Sequence, residues 1–281
     1  MPSLPGVSHR DVAVDGVRLH VAEAGRGPPV VLLHGWPQHW WAWRRVLPTL
    51  ARDHHVICPD LRGLGWSEAP TASYEKQRLA DDLIGLLDAL GLDRVQLVGH
   101  DWGGFAAFLA ALKAPERFSG LLALSISHLW PPGGPPDPRR LVRFSYQGVI
   151  ASPLGERLLR HEGLARRLLH RAGDGAWDAE ALNLYAGVLS QPAAARASVM
   201  LYRTFLLREL GPLLRGVYSD RRLQVPTRML VGDRDPVITP ELVAGLSEHA
   251  DPGTVAWEAG AGHWLPEERP ERVLAELALL P

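Results

Sequence analysis

Short, mostly apolar runs alternate with longer amphipathic segments along most of this chain. Pro29–Leu33 is continuously apolar, as a strand that is buried on both faces would be, and further strands are predicted over Val56–Pro59, Val95–Val98 and Thr227–Val231. The segment Leu79–Leu90 places its leucines at helical spacing along one face. Strands that alternate with helices predict an α/β protein whose sheet is mostly parallel, with right-handed crossover connections.

Weaker patterns complete the predicted core. Residues 12–24 alternate apolar and polar positions around Asp15-Gly16, which predicts a β-hairpin. Two further strands are predicted over Phe118–Ile126 and Thr254–Glu258. Four further helices are predicted from apolar spacing and composition: Trp40–Ala51, Phe105–Leu112, Pro240–Glu248 and Pro270–Leu280.

The alternation stops in the middle of the chain. Residues 130–138 are rich in proline and glycine, which excludes a helix or a central strand there. From Arg139 to Arg222 the apolar residues follow helical spacing without a convincing strand. We therefore expect an inserted helical cap at residues 129–222, and a core formed by residues 1–128 and 223–281.

Composition narrows the classes of function. The chain has 281 residues, 46% of them hydrophobic, and a net charge of -1, which gives no electrostatic basis for binding nucleic acid. Its one cysteine, Cys58, lies in an apolar run and fits a reducing compartment. Residues 1–10 lack an apolar signal-peptide core, and no run approaches the ~20 apolar residues of a membrane span. We expect a soluble cytoplasmic protein that does not associate with membranes.

The segment Leu97–Gly104 has the pattern of a strand, a sharp turn and a helix. Gly99 and Gly103 stand two positions on either side of Asp101, and glycine permits the close packing that such a turn needs. The arrangement is similar to the nucleophile elbow Gly-X-Ser-X-Gly, with aspartate in place of serine. A carboxylate is anionic at pH 7 and can attack a saturated carbon without a base to activate it. The alternative is that Asp101 only caps the helix that follows.

An ester formed on a carboxylate must be hydrolysed, which requires a general base and a group that orients it. Asp233 and Asp235 follow one predicted strand, and His263 follows the last one. The loops after the carboxyl ends of parallel strands converge on one crevice. The chain order therefore predicts that Asp101, one of the two aspartates and His263 meet in space.

These motifs resemble those of the epoxide hydrolase family of the α/β-hydrolases over nearly the whole chain. His34-Gly35-Trp36-Pro37 matches the family's His-Gly-X-Pro loop, Asp60–Ser67 resembles its structural turn, and Gly99–Gly104 matches its elbow. The resemblance implies the α/β-hydrolase fold with an inserted helical cap. It also implies that Asp235, rather than Asp233, is the acid and that His263 is the base.

The family places two cap tyrosines above the nucleophile, and their hydroxyls polarise the epoxide oxygen. Four of the five tyrosines of this chain lie in the predicted cap, at positions 146, 185, 202 and 218. Phe144-Ser145-Tyr146-Gln147 resembles the family's first tyrosine motif, and Leu201-Tyr202-Arg203 resembles its second. Tyr202 also shares a helical face with Val199 and Leu206, so packing in the core is the alternative role for it.

The resemblance implies a two-step reaction of an apolar epoxide with water. Asp101 opens the ring to give a hydroxyalkyl ester while Tyr146 and Tyr202 bind the epoxide oxygen. His263, oriented by Asp235, then activates water to release a vicinal diol. The backbone N–H groups of Trp36 and Trp102 would bind the oxyanion. We expect no cofactor and no metal, since no His, Cys or Asp cluster has ligand spacing.

Three alternatives stay open from the residues. A haloalkane dehalogenase would use the same triad and would bind halide with an indole N–H, a role that Trp102 fits, but would not need the two tyrosines. A fluoroacetate-type enzyme would want arginine where Trp102 stands. A non-catalytic receptor could retain this pocket, but all three triad residues are present. A serine esterase is disfavoured because Asp101 occupies the position of the serine.

Overall fold

The computed structural model describes residues 1–71, 73–131, 142–173 and 177–281, and a single sheet runs through them. Its eight strands are β1 Ser8–Val14, β2 Val17–Ala24, β3 Pro29–Leu33, β4 His55–Pro59, β5 Val95–His100, β6 Phe118–Leu124, β7 Thr227–Gly232 and β8 Gly253–Glu258. They lie in the order β1-β2-β4-β3-β5-β6-β7-β8. The predicted hairpin is confirmed, because β1 pairs with β2 in antiparallel register from Ser8↔Glu23 to Val14↔Val17. The pairing of β2 with β4 is also antiparallel, and all other neighbours are parallel.

Helices cover the sheet and fill the long connection between β6 and β7. In chain order they are α1 Leu47–Leu50, α2 Lys76–Leu90, α3 Trp102–Lys113, α4 Ser145–Ala151, α5 Gly155–Leu159, α6 Glu162–Ala172, α7 Ala179–Leu189, α8 Pro192–Thr204, α9 Leu210–Leu214, α10 Pro240–Val243, α11 Leu246–His249, α12 Leu265–Glu268 and α13 Pro270–Leu277. Two 3-10 turns occupy Trp40–Trp43 and Pro115–Arg117, and a π-helical segment, Phe205–Glu209, joins α8 to α9.

Two predicted helices are each divided in two, so those predictions are wrong in detail. Over Trp40–Ala51 a 3-10 turn precedes α1, and Pro48 stands at the start of α1, where its missing N–H is tolerated. Over Pro240–Glu248 the break falls at Gly245, whose φ of 83° lies in the left-handed region. A residue in that conformation ends one helix and allows the next to start in a new direction.

The connection between β6 and β7 is mostly helical within the described residues. Within residues 142–173 and 177–222 it consists mainly of the helices α4 to α9 and the π-helical segment, and it contains no strand of the sheet. Most of the predicted proline-rich break at 130–138, namely residues 132–138, lies outside the described residues, as does the beginning of the helical pattern at Arg139. The division into a cap at 129–222 and a core at 1–128 and 223–281 stays a prediction.

The sheet has an apolar layer on each face. Val31 of β3 and Leu97 of β5 belong to the layer that also holds Phe108 of α3, whereas Val30 and Val98 point into the opposite layer. Burying one such side chain stabilises the fold by roughly 1.5–3 kcal/mol. Because neighbouring residues face opposite layers, a slip of one position would exchange the two faces of a strand.

The parallel strands bring four loops to one edge of the sheet. Trp36 follows β3, Asp101 follows β5, Asp235 follows β7 and His263 follows β8. The carboxyl ends of parallel strands form the usual binding crevice of an open α/β sheet. Among the residues that the structure describes, no helix combines the length and the apolarity that crossing a membrane requires.

Candidate active site

Asp101 stands in a backbone conformation that L-residues rarely adopt. Its φ is 49° and its ψ is −124°, a geometry that costs of order 1–3 kcal/mol. The turn is held by the N–H of Asp101, which donates to the Leu124 carbonyl at 3.1 Å, and by its own carbonyl, which accepts from Phe105 N–H at 3.0 Å. A Cβ on Gly35 would lie 2.3 Å from the Asp101 Cβ, so glycine is needed for this approach.

The Asp101 carboxylate does not cap α3, and that alternative is wrong. The residue occupies the N-cap position of α3, but its side chain makes no capping hydrogen bond. Oδ1 instead accepts the backbone N–H of Trp36 at 2.8 Å, and Oδ2 lies 3.7 Å from Nε2 of His263. The carboxylate is 7% exposed and faces the crevice above the sheet.

His263 lies between two carboxylates. Its Nδ1 is 2.8 Å from Oδ2 of Asp235, while Oδ1 of Asp235 accepts the N–H groups of Val237 and Ile238 at 2.7 and 3.0 Å. Burial raises the pKa of Asp235, but the charge of His263 and these hydrogen bonds outweigh it and lower the pKa overall. The structure brings Asp235 to His263, whereas Asp233 accepts the Gly260 N–H at an exposed position.

The two carboxylates favour the imidazolium form of His263. Burial alone would lower the pKa of this ring, but the charge of Asp235 and the contact with Asp101 raise its pKa above the ordinary value. The neighbouring His100, whose Nε2 donates to the His263 carbonyl at 2.9 Å, behaves in the opposite way. Burial, together with the charge of His263, lowers the pKa of His100 to about 4, which keeps it neutral.

The two predicted site tyrosines lie together beside Asp101. The ring of Tyr202 makes edge contacts with Tyr146, Trp36 and Trp102, with ring centroids 5.9, 5.2 and 5.6 Å apart. Burial is the main cause that raises the pKa of Tyr146, and the charge of Asp101 raises it further. Burial, Tyr146 and Asp101 likewise raise the pKa of Tyr202. Both hydroxyls therefore remain protonated donors well above neutral pH.

The other two tyrosines between β6 and β7 do not share this position. The Tyr185 hydroxyl donates to Oε1 of Glu267 at 2.5 Å, and the same carboxylate oxygen accepts from Arg44 at 2.6 Å. Tyr218 is half-buried, and its backbone carbonyl accepts the indole N–H of Trp130 at 2.6 Å. Tyr202 is only 1% exposed, so it packs in the core and borders the site at the same time.

A cavity of about 270 Å³ opens onto Asp101, Tyr146 and His263. Its remaining lining is mostly apolar, with two arginines and a serine: Trp36, Val142, Arg143, Ser145, Leu168, Arg171, Ala172, Pro236, Val237 and Trp264. Apolar walls with a few convergent polar groups are typical of sites for small organic molecules. The indole N–H of Trp102 is buried and interacts with the Tyr202 hydroxyl, but it makes no well-formed hydrogen bond within the described part of the chain.

The chain resembles proteins of known class over almost its full length. The sequence profile of the alpha/beta hydrolase fold matches residues 28–270. The soluble epoxide hydrolase of Corynebacterium sp. (strain C12) is 32% identical, with 95% of each chain covered. Epoxide hydrolase A of Mycobacterium tuberculosis is 33% identical, with 96% of each covered. This chain belongs to the epoxide hydrolase family of the α/β-hydrolases.

The structural comparison agrees with this membership. The structure of the epoxide hydrolase CorEH without ligand superposes with a TM-score of 0.86 at 30% identity, with 96% of each chain covered. The predicted α/β-hydrolase fold is confirmed, and the protein is an enzyme of the hydrolase class that acts on ether bonds. The individual roles of Asp101, His263, Asp235, Tyr146, Tyr202, Trp36 and Trp102 in this epoxide hydrolase family member stay predictions.

The geometry predicts how the His263 pKa responds to each carboxylate. Asp101→Asn and Asp235→Asn should each lower the pKa of His263, the second more strongly, because Asp235 makes the largest contribution that raises it. Titration of the imidazole ring by NMR measures both effects, with Asp233→Asn as the matched control. A His263 pKa that Asp101→Asn leaves unchanged would contradict the coupling.

Proposed function

We propose that this protein converts an epoxide with an apolar body, and water, to a vicinal diol through a hydroxyalkyl ester on Asp101. The observation that carries the proposal is one carboxylate that lies beside an imidazole and near two phenols. His263 Nε2 lies 3.7 Å from Asp101 Oδ2. Tyr146 lines the same cavity as Asp101, and the ring of Tyr202 contacts the Tyr146 ring, with centroids 5.9 Å apart. The relatives named epoxide hydrolase support the same reaction.

Ring opening uses the two oxygens of Asp101 differently. Oδ1 is engaged by the Trp36 N–H, which leaves Oδ2 as the attacking atom. As Oδ2 forms a bond to a ring carbon, the C–O bond of the epoxide breaks and its electron pair goes to the epoxide oxygen. Tyr146 and Tyr202 donate hydrogen bonds to that oxygen, and one of them supplies the proton that completes the hydroxyl group. Donors aimed at a developing oxyanion lower the barrier strongly in a buried site.

Ester formation prepares His263 for the second step. The ester is neutral, so one of the two negative charges that raise the His263 pKa is lost, and its pKa falls. As its pKa falls, the His263 imidazolium releases its Nε2 proton to solvent. Nδ1 stays bound to Asp235, which leaves the neutral Nε2 free to take a proton from water. The resulting hydroxide adds to the Asp101 ester carbon, and Oδ1 becomes the oxyanion at the Trp36 N–H. We assign the second donor to the Trp102 N–H at the start of α3.

The tetrahedral intermediate then collapses. The bond between the Asp101 carbon and the alkyl oxygen breaks, and His263 returns its proton to that oxygen to release the diol. The hydroxyl proton left on the Asp101 carboxyl group then passes to His263, which restores the carboxylate and the imidazolium. The Tyr that lost its proton regains one from solvent after the diol leaves. The mostly apolar lining of the cavity favours a substrate with an apolar body.

One observation favours a second candidate, a haloalkane dehalogenase. The Trp102 indole N–H is buried and makes no well-formed hydrogen bond within the described residues, although it interacts with the Tyr202 hydroxyl, so it could donate to a bound halide. Such an enzyme would use the same Asp101, His263 and Asp235. It would not explain the paired Tyr146 and Tyr202, which is why we prefer the epoxide.

The covalent step can be trapped in the His263→Gln variant. Removing the base should allow alkylation of Asp101 but block ester hydrolysis, so the intact protein should gain the mass of one styrene oxide molecule. The adduct should map to the peptide that contains Asp101 and should not form in the Asp101→Ala/His263→Gln double variant. Good binding of styrene oxide without any adduct in His263→Gln would contradict the two-step reaction.

The tyrosines separate the two candidate activities. Tyr146→Phe or Tyr202→Phe should each slow adduct formation from styrene oxide in the His263→Gln background by roughly 10²–10³-fold, the cost of losing one oxyanion donor. Both changes together should nearly eliminate it.

The matched control is Tyr218→Phe, whose hydroxyl lies outside this arrangement. Phenylalanine keeps the packing, so the melting temperature should change little. Halide release from a 1-haloalkane by the wild type, unaffected by the double Tyr→Phe change and without any diol from styrene oxide, would instead establish the dehalogenase.

A further inference from the structure

Lys76 is a fully buried cation that the proposed reaction does not use. The chain carries nearly all its positive charge on arginine and has lysine only at positions 76 and 113. Lys76 is 0% exposed, and its Nζ donates to the Leu201 carbonyl at 2.6 Å, to Oε2 of Glu209 at 3.2 Å and to the Tyr74 carbonyl at 3.4 Å. Three acceptors match the three protons of the ammonium group.

The contacts of Lys76 lead directly to two residues of the candidate site. Its Nζ lies 4.7 Å from the centroid of the Trp102 ring, and Trp102 is the neighbour of Asp101 in the chain. The Leu201 carbonyl that accepts from Nζ immediately precedes Tyr202 on α8. The rings of Trp102 and Tyr202 also contact each other, with centroids 5.6 Å apart. One ammonium group thus contacts the elbow and the helix that carries a site tyrosine.

The π-helical segment Phe205–Glu209 also contacts Lys76 and Trp102. Oε1 of Glu209 accepts the backbone N–H of Lys76 at 2.7 Å, at the first turn of α2, while Oε2 accepts from Nζ. The ring of Phe205 lies 5.2 Å from Nζ and 4.8 Å from the Trp102 ring. π-Helical turns inside longer helices occur frequently at functional sites.

A contribution to the stability of the fold does not by itself explain why an ammonium group is buried at this position. Desolvating a charge is costly, and apolar residues of similar size often replace buried ion pairs with a neutral or favourable effect on stability. Cation–π and charge-assisted contacts do, however, fix the positions of the groups that they join. The partners of Lys76 are the groups whose positions ring opening depends on.

We propose that Lys76 is a positioning residue for the ring-opening step: its ammonium group joins the elbow to α8 and so holds Trp102 and Tyr202 in place beside Asp101. This inference rests on the proposed reaction at Asp101. It requires the charged form of Lys76, because neutral Nζ has one proton fewer to donate and loses its cation–π attraction.

The protonation of Lys76 gives the proposal a distinctive pH signature. Burial lowers the pKa of Lys76 to about 8, against the opposing effects of Glu209, Glu75 and Asp101. These are the charged groups that act on it from the π-helical segment, from the start of α2 and from the elbow. Ring opening should therefore slow as the pH rises through about 8, while Tyr146 and Tyr202 keep their protons because their pKa values are raised.

The effect of pH on folding has the opposite sign. Between about 8 and 10.5 the unfolded chain holds a proton at Lys76 that the folded chain has lost, so the contribution of this residue to stability rises with pH. If Lys76 served only to stabilise the fold, the protein would become more stable in that pH range and the reaction would not slow. A positioning role predicts a slower reaction in a more stable protein.

The test measures adduct formation from styrene oxide in a single turnover, in the His263→Gln background, between pH 6 and 10. Lys76→Met, which keeps the length of the side chain without its charge, should slow adduct formation by about 10- to 100-fold at pH 7, the range expected when a reacting group is misplaced by about 1 Å. The alkaline decrease should disappear in this variant.

Lys113→Met is the matched control. It makes the same chemical change at the other lysine of the chain and removes its surface ion pair with Asp81, 2.5 Å apart, without a contact to Trp102 or Leu201. This variant should keep the rate at pH 7. If Lys76→Met does not fold, the double variant Lys76→Met/Glu209→Gln avoids an unpaired carboxylate at Glu209. The pH dependence of the adduct rate in the His263→Gln background tests the proposal without either variant.

An adduct rate in the His263→Gln background that stays constant from pH 7 to 9 would overturn the proposal. So would a Lys76→Met variant that reacts at the rate of its parent. Complete failure of His263→Gln to form an adduct at any pH would instead refute the reaction at Asp101, so the two failures are distinguishable.

Discussion

The site depends on one carboxylate held in an unfavourable backbone conformation. Asp101 adopts a φ of 49°, and two close approaches make that possible. Gly35 leaves room for the Asp101 side chain, and Gly103 allows α3 to approach the end of β3, where a Cβ would lie 2.3 Å from the His34 carbonyl oxygen. In return, the turn directs Oδ1 to the Trp36 N–H and Oδ2 towards His263. The sheet provides the rigid frame, because β3, β5, β7 and β8 end at the same edge.

Charge then gives the residues around Asp101 their separate tasks. Two carboxylates on one buried imidazole favour its protonated form. Burial and the same Asp101 charge keep the protons on Tyr146 and Tyr202. In the reaction that we propose, formation of the ester removes the Asp101 charge, so the two tyrosines are available as donors in the first step and His263 becomes available as a base in the second.

Local sequence pattern was sufficient to predict much of the fold and the residues that meet. The elbow strand, α2, α3 and the strand-end positions of Asp235 and His263 follow from periodicity, glycine spacing and the geometry of parallel strands. The divided helices were missed because single residues, Pro48 and Gly245, override an otherwise helical spacing. The choice between Asp233 and Asp235 came from family resemblance, and the structure brings Asp235 to His263 because its other oxygen accepts two N–H groups of its own loop.

The contacts of Lys76 could not be predicted in this way. Lys76 lies 125 residues from Leu201 and 133 from Glu209 along the chain. A lysine at the start of an amphipathic helix is normally solvated, and only the packing of α8 and the π-helical segment onto α2 buries it. The neutral state of His100 could not be predicted either, although His100 lies within the elbow motif. It follows from complete burial beside His263, which the local sequence pattern does not show.

In the proposed reaction the new oxygen of the diol comes from Asp101, and isotope transfer identifies its source. Unlabelled enzyme in excess over epoxide is mixed in H₂¹⁸O for one turnover, and the diol and the Asp101 peptide are analysed by mass spectrometry. We expect ¹⁸O in the Asp101 carboxylate and none in the first-turnover diol. A first-turnover diol that carries ¹⁸O, with Asp101 unlabelled, would mean that water attacks the epoxide directly and that no ester forms on Asp101.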